Sequence, residues 1–184
     1  MLEYALASDD RDLRDFVRKS YEWAKSKEAY GSTLAGYFPM YAQSGSSRTV
    51  FEACEAADMI ALALKMSAVN VADYYEEAER WTRNHFVESQ LSPANAKSLL
   101  RASKNFPASD DTYQDITANV RRTGIANRET RDRVVERNIG AFAGLASGND
   151  WGGGIMQCCT GNGARTIYYI WEHILDYKKG QLRL

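Results

Sequence analysis

Apolar residues recur at three- and four-residue spacing along most of the chain, which predicts amphipathic α-helices. No stretch alternates in the two-residue pattern of a half-buried strand. The fold class predicted is therefore all-α, with consecutive helices paired as hairpins. The predicted helices run over residues 2–7, from Asp9 or Asp10 to about Lys27, from Thr49 through Met66, from Val71 to about Gln90, over residues 93–100, from Arg128 to Ala146, and from Thr160 to about Lys178.

Side chains that cap helices support several of these starts. Asp9 or Asp10 precedes the second helix, Asn70 precedes the fourth, and Ser92 with Pro93 opens the short one. Thr49 and Glu52 have the spacing of a capping box, in which a glutamate side chain returns to the helix N-terminus. On that interpretation Glu52 is structural. Residues 104–128 show no periodicity that predicts an element.

Composition places the chain among globular proteins and excludes some partners. A length of 184 residues suits one domain, and 45% of the residues are hydrophobic. The net charge is −1 and no basic cluster occurs, so we expect no nucleic-acid partner. No apolar run reaches the length of a bilayer span and residues 1–20 are too charged for a secretory signal, so we expect no membrane partner and a cytoplasmic location.

All three cysteines stand at predicted helix starts. Cys158 and Cys159 follow the Gly-rich segment 152–154, and Cys54 lies two residues after Glu52. Backbone N–H groups and the helix dipole at such a position favour a negative sulfur, so we expect a lowered thiol pKa. An odd number of cysteines with two neighbours makes a poor disulfide framework. Reduced thiols that bind a soft metal or attack an electrophilic carbon are the better interpretation.

The two helix starts together predict a metal site if they lie side by side. Cys54, Cys158 and Cys159 with Glu52 would offer three thiolates and a carboxylate, the kinds of ligand that zinc prefers. Four negative charges on a dication leave electron-rich sulfur, and a metal-bound thiolate needs no neighbouring base to act as a nucleophile. A third interpretation, thiol redox chemistry at the neighbouring cysteines, ranks below the metal site because a disulfide between adjacent residues is strained.

These motifs resemble those of glycoside hydrolase family 127, the retaining β-L-arabinofuranosidases, and its relatives. The family carries a Glu-x-Cys motif at one helix start and a Cys-Cys pair with a following asparagine at another. Glu52-Ala53-Cys54 and Cys158-Cys159-Thr160-Gly161-Asn162 are similar to these motifs and occur in the same order. A Tyr- and Glu-rich helix with Arg80 and Asn84 follows the first motif, as in the family.

The resemblance implies a fold and an activity. Zinc would be bound by Glu52, Cys54, Cys158 and Cys159, and Cys158 would be the nucleophile that forms a glycosyl-cysteine intermediate. The substrate would be a carbohydrate with a terminal β-L-arabinofuranoside or a related sugar. The family's fold is an (α/α)6 barrel of six helical hairpins followed by β-rich modules. Residues 1–184 would then form about half of the barrel, with N-terminal hairpins and C-terminal β modules missing.

The chain departs from the family pattern where the family has its general acid. The family places its general acid shortly before Glu-x-Cys, but residues 31–50 contain no Asp or Glu, and Glu28 is the nearest carboxylate upstream. A non-catalytic fragment or degenerate relative with a structural zinc site is therefore the alternative.

Tyr37, Phe38 and Tyr41, in an irregular loop before the motif, are candidates for stacking on sugar. An incomplete barrel would also expose a face through which the chain self-associates.

Overall fold

The structure, a computed structural model, describes residues 1–26, 36, 38, 51–97, 133–144, 155–178 and 181–183. Six α-helices and two strands have their bounds within these residues. They are α1 (Leu2–Ala7), α2 (Arg11–Lys25), α3 (Ala53–Ala68), α4 (Tyr75–Trp81), α5 (Val134–Arg137), α6 (Gln157–Glu172), β1 (Asp176–Lys178) and β2 (Gln181–Arg183). A π-helix, Thr82–Phe86, directly continues α4.

Helices dominate the described residues, which confirms the all-α prediction at that level. The only regular strands among the described residues are β1 and β2, which form an antiparallel pair with Tyr177 opposite Leu182. The predicted absence of strands and the predicted end of the last helix near Lys178 are therefore wrong, because α6 stops at Glu172 and residue 176 begins β1. None of the helices in the described ranges has the length and apolar character needed to cross a bilayer.

The chain divides into two compact units, and the smaller unit is Leu91–Ala141. Its described ends pair through the backbone, because Leu91 donates to the Ala141 carbonyl at 2.8 Å and receives a bond from the Gly140 amide at 2.9 Å. Residues 93–97 are helical, and the Ser92 hydroxyl accepts from the Asn95 amide at 3.1 Å, which confirms the predicted cap. Residues 98–132, including the stretch 104–128, lie outside the described residues.

The helix predicted from Arg128 to Ala146 is mostly wrong. Within its described part only Val134–Arg137 is helical, and Phe142 and Ala143 instead form isolated antiparallel bridges with Gln90 and Ile155. Apolar spacing did not distinguish a helix from this short extended segment, because both place apolar side chains on a buried surface.

The larger unit, Met1–Gln90 with Phe142–Leu184, contains a core centred on Trp81. Trp81 is 2% exposed, and its ring has Phe38 edge-on at 5.0 Å and Tyr21 at 6.3 Å between centroids. Ile60 from α3 is also fully buried in this core. Lys25 joins α2 to α4 because it binds both carboxylate oxygens of Glu77, at 2.9 and 2.8 Å.

The start of α2 confirms its prediction, and the helix buries only part of its apolar face. Asp10 caps the helix by accepting from the Leu13 amide at 2.9 Å. Val17 and Tyr21 are buried, whereas Phe16 and Trp23 are more than half exposed.

The fourth helix begins later than predicted. Asn70 has a positive φ of 57° and lies in a turn, so the predicted helix start at Val71 is wrong and α4 begins at Tyr75. His85 in the π-helix is fully buried and its Nδ1 donates to the Gly36 carbonyl at 3.0 Å. Burial lowers the pKa of His85, which favours the neutral imidazole.

Candidate metal centre

The two motif-bearing helices, α3 and α6, run parallel and start side by side. Three contacts between the two helices show their relative direction. They are Cys54 with Cys159, the Ala57 carbonyl with the Thr166 hydroxyl at 3.1 Å, and Asp58 with Arg165. The sequence separations of these pairs are 105, 109 and 107 residues, and a nearly constant separation means that both helices advance in the same direction. Their positive N-terminal ends therefore converge, each equivalent to roughly half a unit charge.

Small side chains allow this close approach. The buried residues of α6 are Cys159, Gly163 and Thr166, at i, i+4 and i+7. A Cβ on Gly163 would overlap the ring of Phe142, which is 1% exposed. The large apolar side chains at helical spacing in α6 are mostly not the packed ones, because Ile167, Tyr168 and Trp171 are all 45% exposed or more.

The start of α6 is fixed by the chain segment before it. Ile155 forms an antiparallel bridge with Ala143, and the Thr160 hydroxyl accepts from the Phe142 amide at 3.3 Å. These contacts place the first turn of α6, which contains Cys158 and Cys159, against the core. The thiols are thus held by ordinary backbone pairing and packing.

Glu52 is the N-cap residue of α3, but its side chain does not cap the helix. Its Oε1 instead accepts from the Cys159 thiol at 3.3 Å and lies 4.0 Å from Cys158 Sγ. The capping-box interpretation of Glu52 is therefore wrong. The helix begins at Ala53 rather than at Thr49, which lies outside the described residues.

The structure brings all four predicted metal ligands together. Cys54 Sγ lies 3.1 Å from Cys159 Sγ, and Cys158 Sγ lies 3.9 Å from Cys159 Sγ. Each of Glu52, Cys54, Cys158 and Cys159 offers one ligand atom, and these atoms all lie within 4.8 Å of one another. We call these four residues the Cys3Glu cluster. It is a group of side chains that could hold a metal ion.

The spacing within the Cys3Glu cluster suits a tetrahedral ion. With zinc about 2.3 Å from sulfur and about 2.0 Å from oxygen, a tetrahedron has S–S edges of about 3.8 Å and S–O edges of about 3.5 Å. The measured S–S distances are 3.1 and 3.9 Å, and the measured S–O distances are 3.3 and 4.0 Å. The largest difference from the ideal edges is about 0.7 Å, for Cys54 and Cys159, and it is shared between two side chains. The donor set and its geometry therefore fit zinc.

Burial controls the protonation of the two inner thiols. It raises the pKa of Cys54 to about 11, although a hydrogen bond from Asn162 favours the thiolate. Burial also raises the pKa of Cys159, and hydrogen bonds with Cys54 and Glu52 add to the effect. The expected lowering by the helix N-terminus is therefore wrong for these two thiols, because loss of water costs a thiolate more than the dipoles return.

The three thiols differ in their access to solvent. Cys159 is buried, Cys54 is half-buried and Cys158 is exposed. A molecule in solution therefore reaches Cys158 first, while Cys159 contacts the other three members of the cluster from inside. This difference does not follow from sequence, since two adjacent cysteines at a helix start have no distinguishing pattern.

Glu55 is a neighbour of the cluster that sequence reasoning missed. Its Oε2 is buried and makes no hydrogen bond within the described residues. Burial, and after it the negative charge of Glu52, raises the pKa of Glu55 to about 7. The signal was present in the sequence, because Glu52 and Glu55 are three residues apart at a helix start and so lie on one face.

Residues outside the Cys3Glu cluster add little to the description of the site. Phe38 is 6% exposed and packs edge-on against Trp81, so its ring belongs to the core. Tyr37 and Tyr41 lie outside the described residues, so their role in stacking on sugar stays a prediction, and Glu28, the nearest upstream carboxylate, lies outside them too. Arg165 pairs with Asp58 on the outer side of α3 and α6.

Comparison of the chain with protein-family models, with curated proteins and with solved structures finds no match.

Proposed function

We propose that the Cys3Glu cluster is a zinc site and that the chain belongs to a retaining glycoside hydrolase related to family 127. The single observation that carries the proposal is the convergence of Glu52 and Cys54 with Cys158 and Cys159 at the starts of two parallel helices. Both motifs of the resemblance are needed to make this cluster. Two motifs separated by about a hundred residues would not be expected to converge if their cysteines were independent core residues.

A bound dication would offset part of the negative charge of the deprotonated cluster. Without an ion, the raised pKa values of Cys54 and Cys159 keep both thiols protonated at neutral pH. A bound zinc ion supplies the charge that holds all the sulfurs as thiolates. Three thiolates and a carboxylate would leave a net charge of about −2, and the two convergent helix N-termini offset roughly one unit of it.

Exposure supports Cys158 as the nucleophile. Its thiol is the exposed one, whereas Cys159 is buried and can act only as a ligand. The Cys158 sulfur would attack the anomeric carbon, and the bond to the leaving oxygen would break with its electron pair on that oxygen. Water would then attack the same carbon and displace the sulfur, so that two inversions give retention. A terminal β-L-arabinofuranoside, or a related sugar, is the substrate that the resemblance implies.

A parallel pair of helices also suits the proposed (α/α)6 barrel. In consecutive antiparallel hairpins, alternate helices run in the same direction and can share the inner ring. The arrangement of α3 and α6 supports placing both there. The exposed apolar side of α6, with Trp171 at 66% exposure, is the face through which we propose that an incomplete barrel self-associates.

The alternative is a structural zinc site without catalysis. It is favoured by the sequence of residues 31–50, which contain no carboxylate where the resemblance places the general acid. Under this alternative the cluster binds zinc and stabilises the α3–α6 pair, but no glycoside is hydrolysed.

Substitution of Cys158 distinguishes the glycoside hydrolase from the structural zinc site. We expect the zinc-loaded protein to hydrolyse aryl β-L-arabinofuranoside and the Cys158→Ala variant to lose at least about 1,000-fold in kcat/KM, since the reaction loses its nucleophile. The measurement is release of the aryl alcohol across a panel of aryl glycosides, with zinc content determined on the same samples.

The matched control is Gln157→Ala, which changes the exposed neighbour of Cys158 at the same helix start. Gln157→Ala should retain both zinc and turnover. One zinc per chain with no turnover on any glycoside would favour the structural site, and turnover that survives in Cys158→Ala would remove this residue as the nucleophile.

A further inference from the structure

Cys54 and Cys159 are the closest pair of sulfurs measured in the Cys3Glu cluster. Their Sγ atoms lie 3.1 Å apart, compared with 3.9 Å for Cys158 and Cys159. Both are free thiols, and they belong to different helices, α3 and α6. A disulfide has an S–S distance of about 2.05 Å, so this pair needs an approach of about 1 Å to become bonded.

The neighbouring pair is the poorer candidate for a disulfide. Cys158 and Cys159 are adjacent in a helical turn, and a bond between adjacent residues forces strain on the intervening peptide. Cys54 and Cys159 carry no such constraint, because each sulfur comes from its own helix. The parallel packing of α3 and α6 already brings these sulfurs together before any bond forms.

We propose that the metal-free centre is a redox switch that closes by a disulfide between Cys54 and Cys159, with Cys158 left as a thiol. The oxidant is a peroxide. Hydrogen peroxide is small enough to reach half-buried Cys54 as well as exposed Cys158. After the Cys54 thiol gives its proton to water, its sulfur attacks hydrogen peroxide, the O–O bond breaks, and one water leaves with Cys54 as a sulfenic acid. The sulfur of Cys159 then attacks the Cys54 sulfur, the S–O bond breaks, and the second water leaves. Two thiols and one peroxide thus give one disulfide and two waters.

The switch regulates the proposed metal site and in that respect rests on the proposed function. The disulfide consumes two of the four ligand atoms, so the oxidised cluster keeps only Glu52 and Cys158 as donors. Metal binding in turn engages both sulfurs and prevents the reaction. Oxidised protein should therefore bind zinc at least about 100-fold more weakly than reduced protein, because it lacks two ligands.

The test uses the full chain, stripped of metal by a chelator under reducing conditions and then exposed to a small excess of hydrogen peroxide. Free thiols are counted with an aromatic disulfide reagent, and the crosslink is located by mass spectrometry of unreduced proteolytic peptides. The thiol count should fall from three to one in the native sequence. Because Cys158 and Cys159 are neighbours, two variants assign the partner: Cys158→Ala should still form the crosslink to Cys54, and Cys159→Ser should not.

Preloading with zinc should slow the loss of thiols at least about tenfold, since bound thiolates are shielded from the oxidant. A crosslink that survives in Cys159→Ser and disappears in Cys158→Ala would overturn the proposal, as would oxidation of Cys158 with no crosslink. Thiol counting needs neither metal nor turnover. A crosslink in a protein that binds no zinc would therefore support the disulfide and contradict the proposed function, whereas zinc binding without a crosslink would do the reverse.

Discussion

Replacing Cys159 by serine should abolish zinc binding, with at least about a 100-fold loss of affinity. Losing a residue that only orients a ligand costs roughly 10- to 100-fold, and Cys159 is itself a proposed ligand. It is also the buried member of the cluster, with contacts to Cys54, Cys158 and Glu52. Competition with a chromophoric chelator measures the affinity, and elemental analysis measures the zinc content of the purified protein.

The control for Cys159→Ser is Asp58→Asn, which removes an exposed carboxylate of α3 that pairs with Arg165 outside the cluster. Asp58→Asn should bind zinc as the native sequence does, since loss of a surface ion pair costs little. Circular dichroism of both variants serves as the control for folding, and both should give the spectrum of the native sequence. Equal zinc affinity in Cys159→Ser and Asp58→Asn would remove Cys159 from the site.

Adding a methyl group at Gly163 should produce the second large effect, a loss of stability. Gly163→Ala places a Cβ in the ring of Phe142, a side chain that is only 1% exposed. Overpacking of this kind costs about 1–3 kcal/mol. Because Gly163 lies one turn after Cys159 on the buried side of α6, the same change should also displace the thiols and weaken zinc binding.

The matched control is Gly161→Ala in the same helix, where an added Cβ meets no atom. That variant should be more stable than the native sequence by about 1 kcal/mol, since alanine has the higher helix propensity. Chemical denaturation followed by circular dichroism gives the free energy of unfolding of both variants. Both alanines gain the same helix propensity, so the difference between the two variants isolates the overpacking. Gly163→Ala should therefore be less stable than Gly161→Ala by about 1–3 kcal/mol, and equal stabilities would show that α6 does not pack closely against Phe142.

The members of the Cys3Glu cluster were predictable from sequence, because residue type and helix position both mark them. All three cysteines occur at helix starts, and that observation needs only periodicity and the Gly-rich segment before Cys158. Whether the two starts meet could not be deduced from periodicity. Their meeting depends on the parallel packing of α3 and α6, which is a property of contacts such as Thr166 with Ala57.

The orientation of α6 illustrates why the rest was not predictable. Hydrophobic periodicity selects the face with the largest apolar side chains, and here that face carries Trp171 and Tyr168, both more than half exposed. The packed face instead carries Cys159, Gly163 and Thr166, whose small size permits close contact. In a helix that packs through small residues, the large apolar side chains lie away from the packed face, and here Cys159 is buried because its small side chain fits there.

Thiol protonation was mispredicted for a related reason. A helix start favours thiolate when water is present, but Cys159 is withdrawn from water, and burial then outweighs the dipole. The degree of burial is a tertiary property. Without it, the sequence indicated which side chains form the cluster but not that the two inner thiols have raised pKa values.

X-ray absorption at the zinc edge, on protein loaded with one equivalent of zinc, tests the central claim most directly. The Cys3Glu cluster predicts a first shell of three sulfur atoms at about 2.3 Å and one oxygen atom at about 2.0 Å. A shell of oxygen and nitrogen atoms with no sulfur, or a protein that retains no zinc after desalting, would contradict the claim.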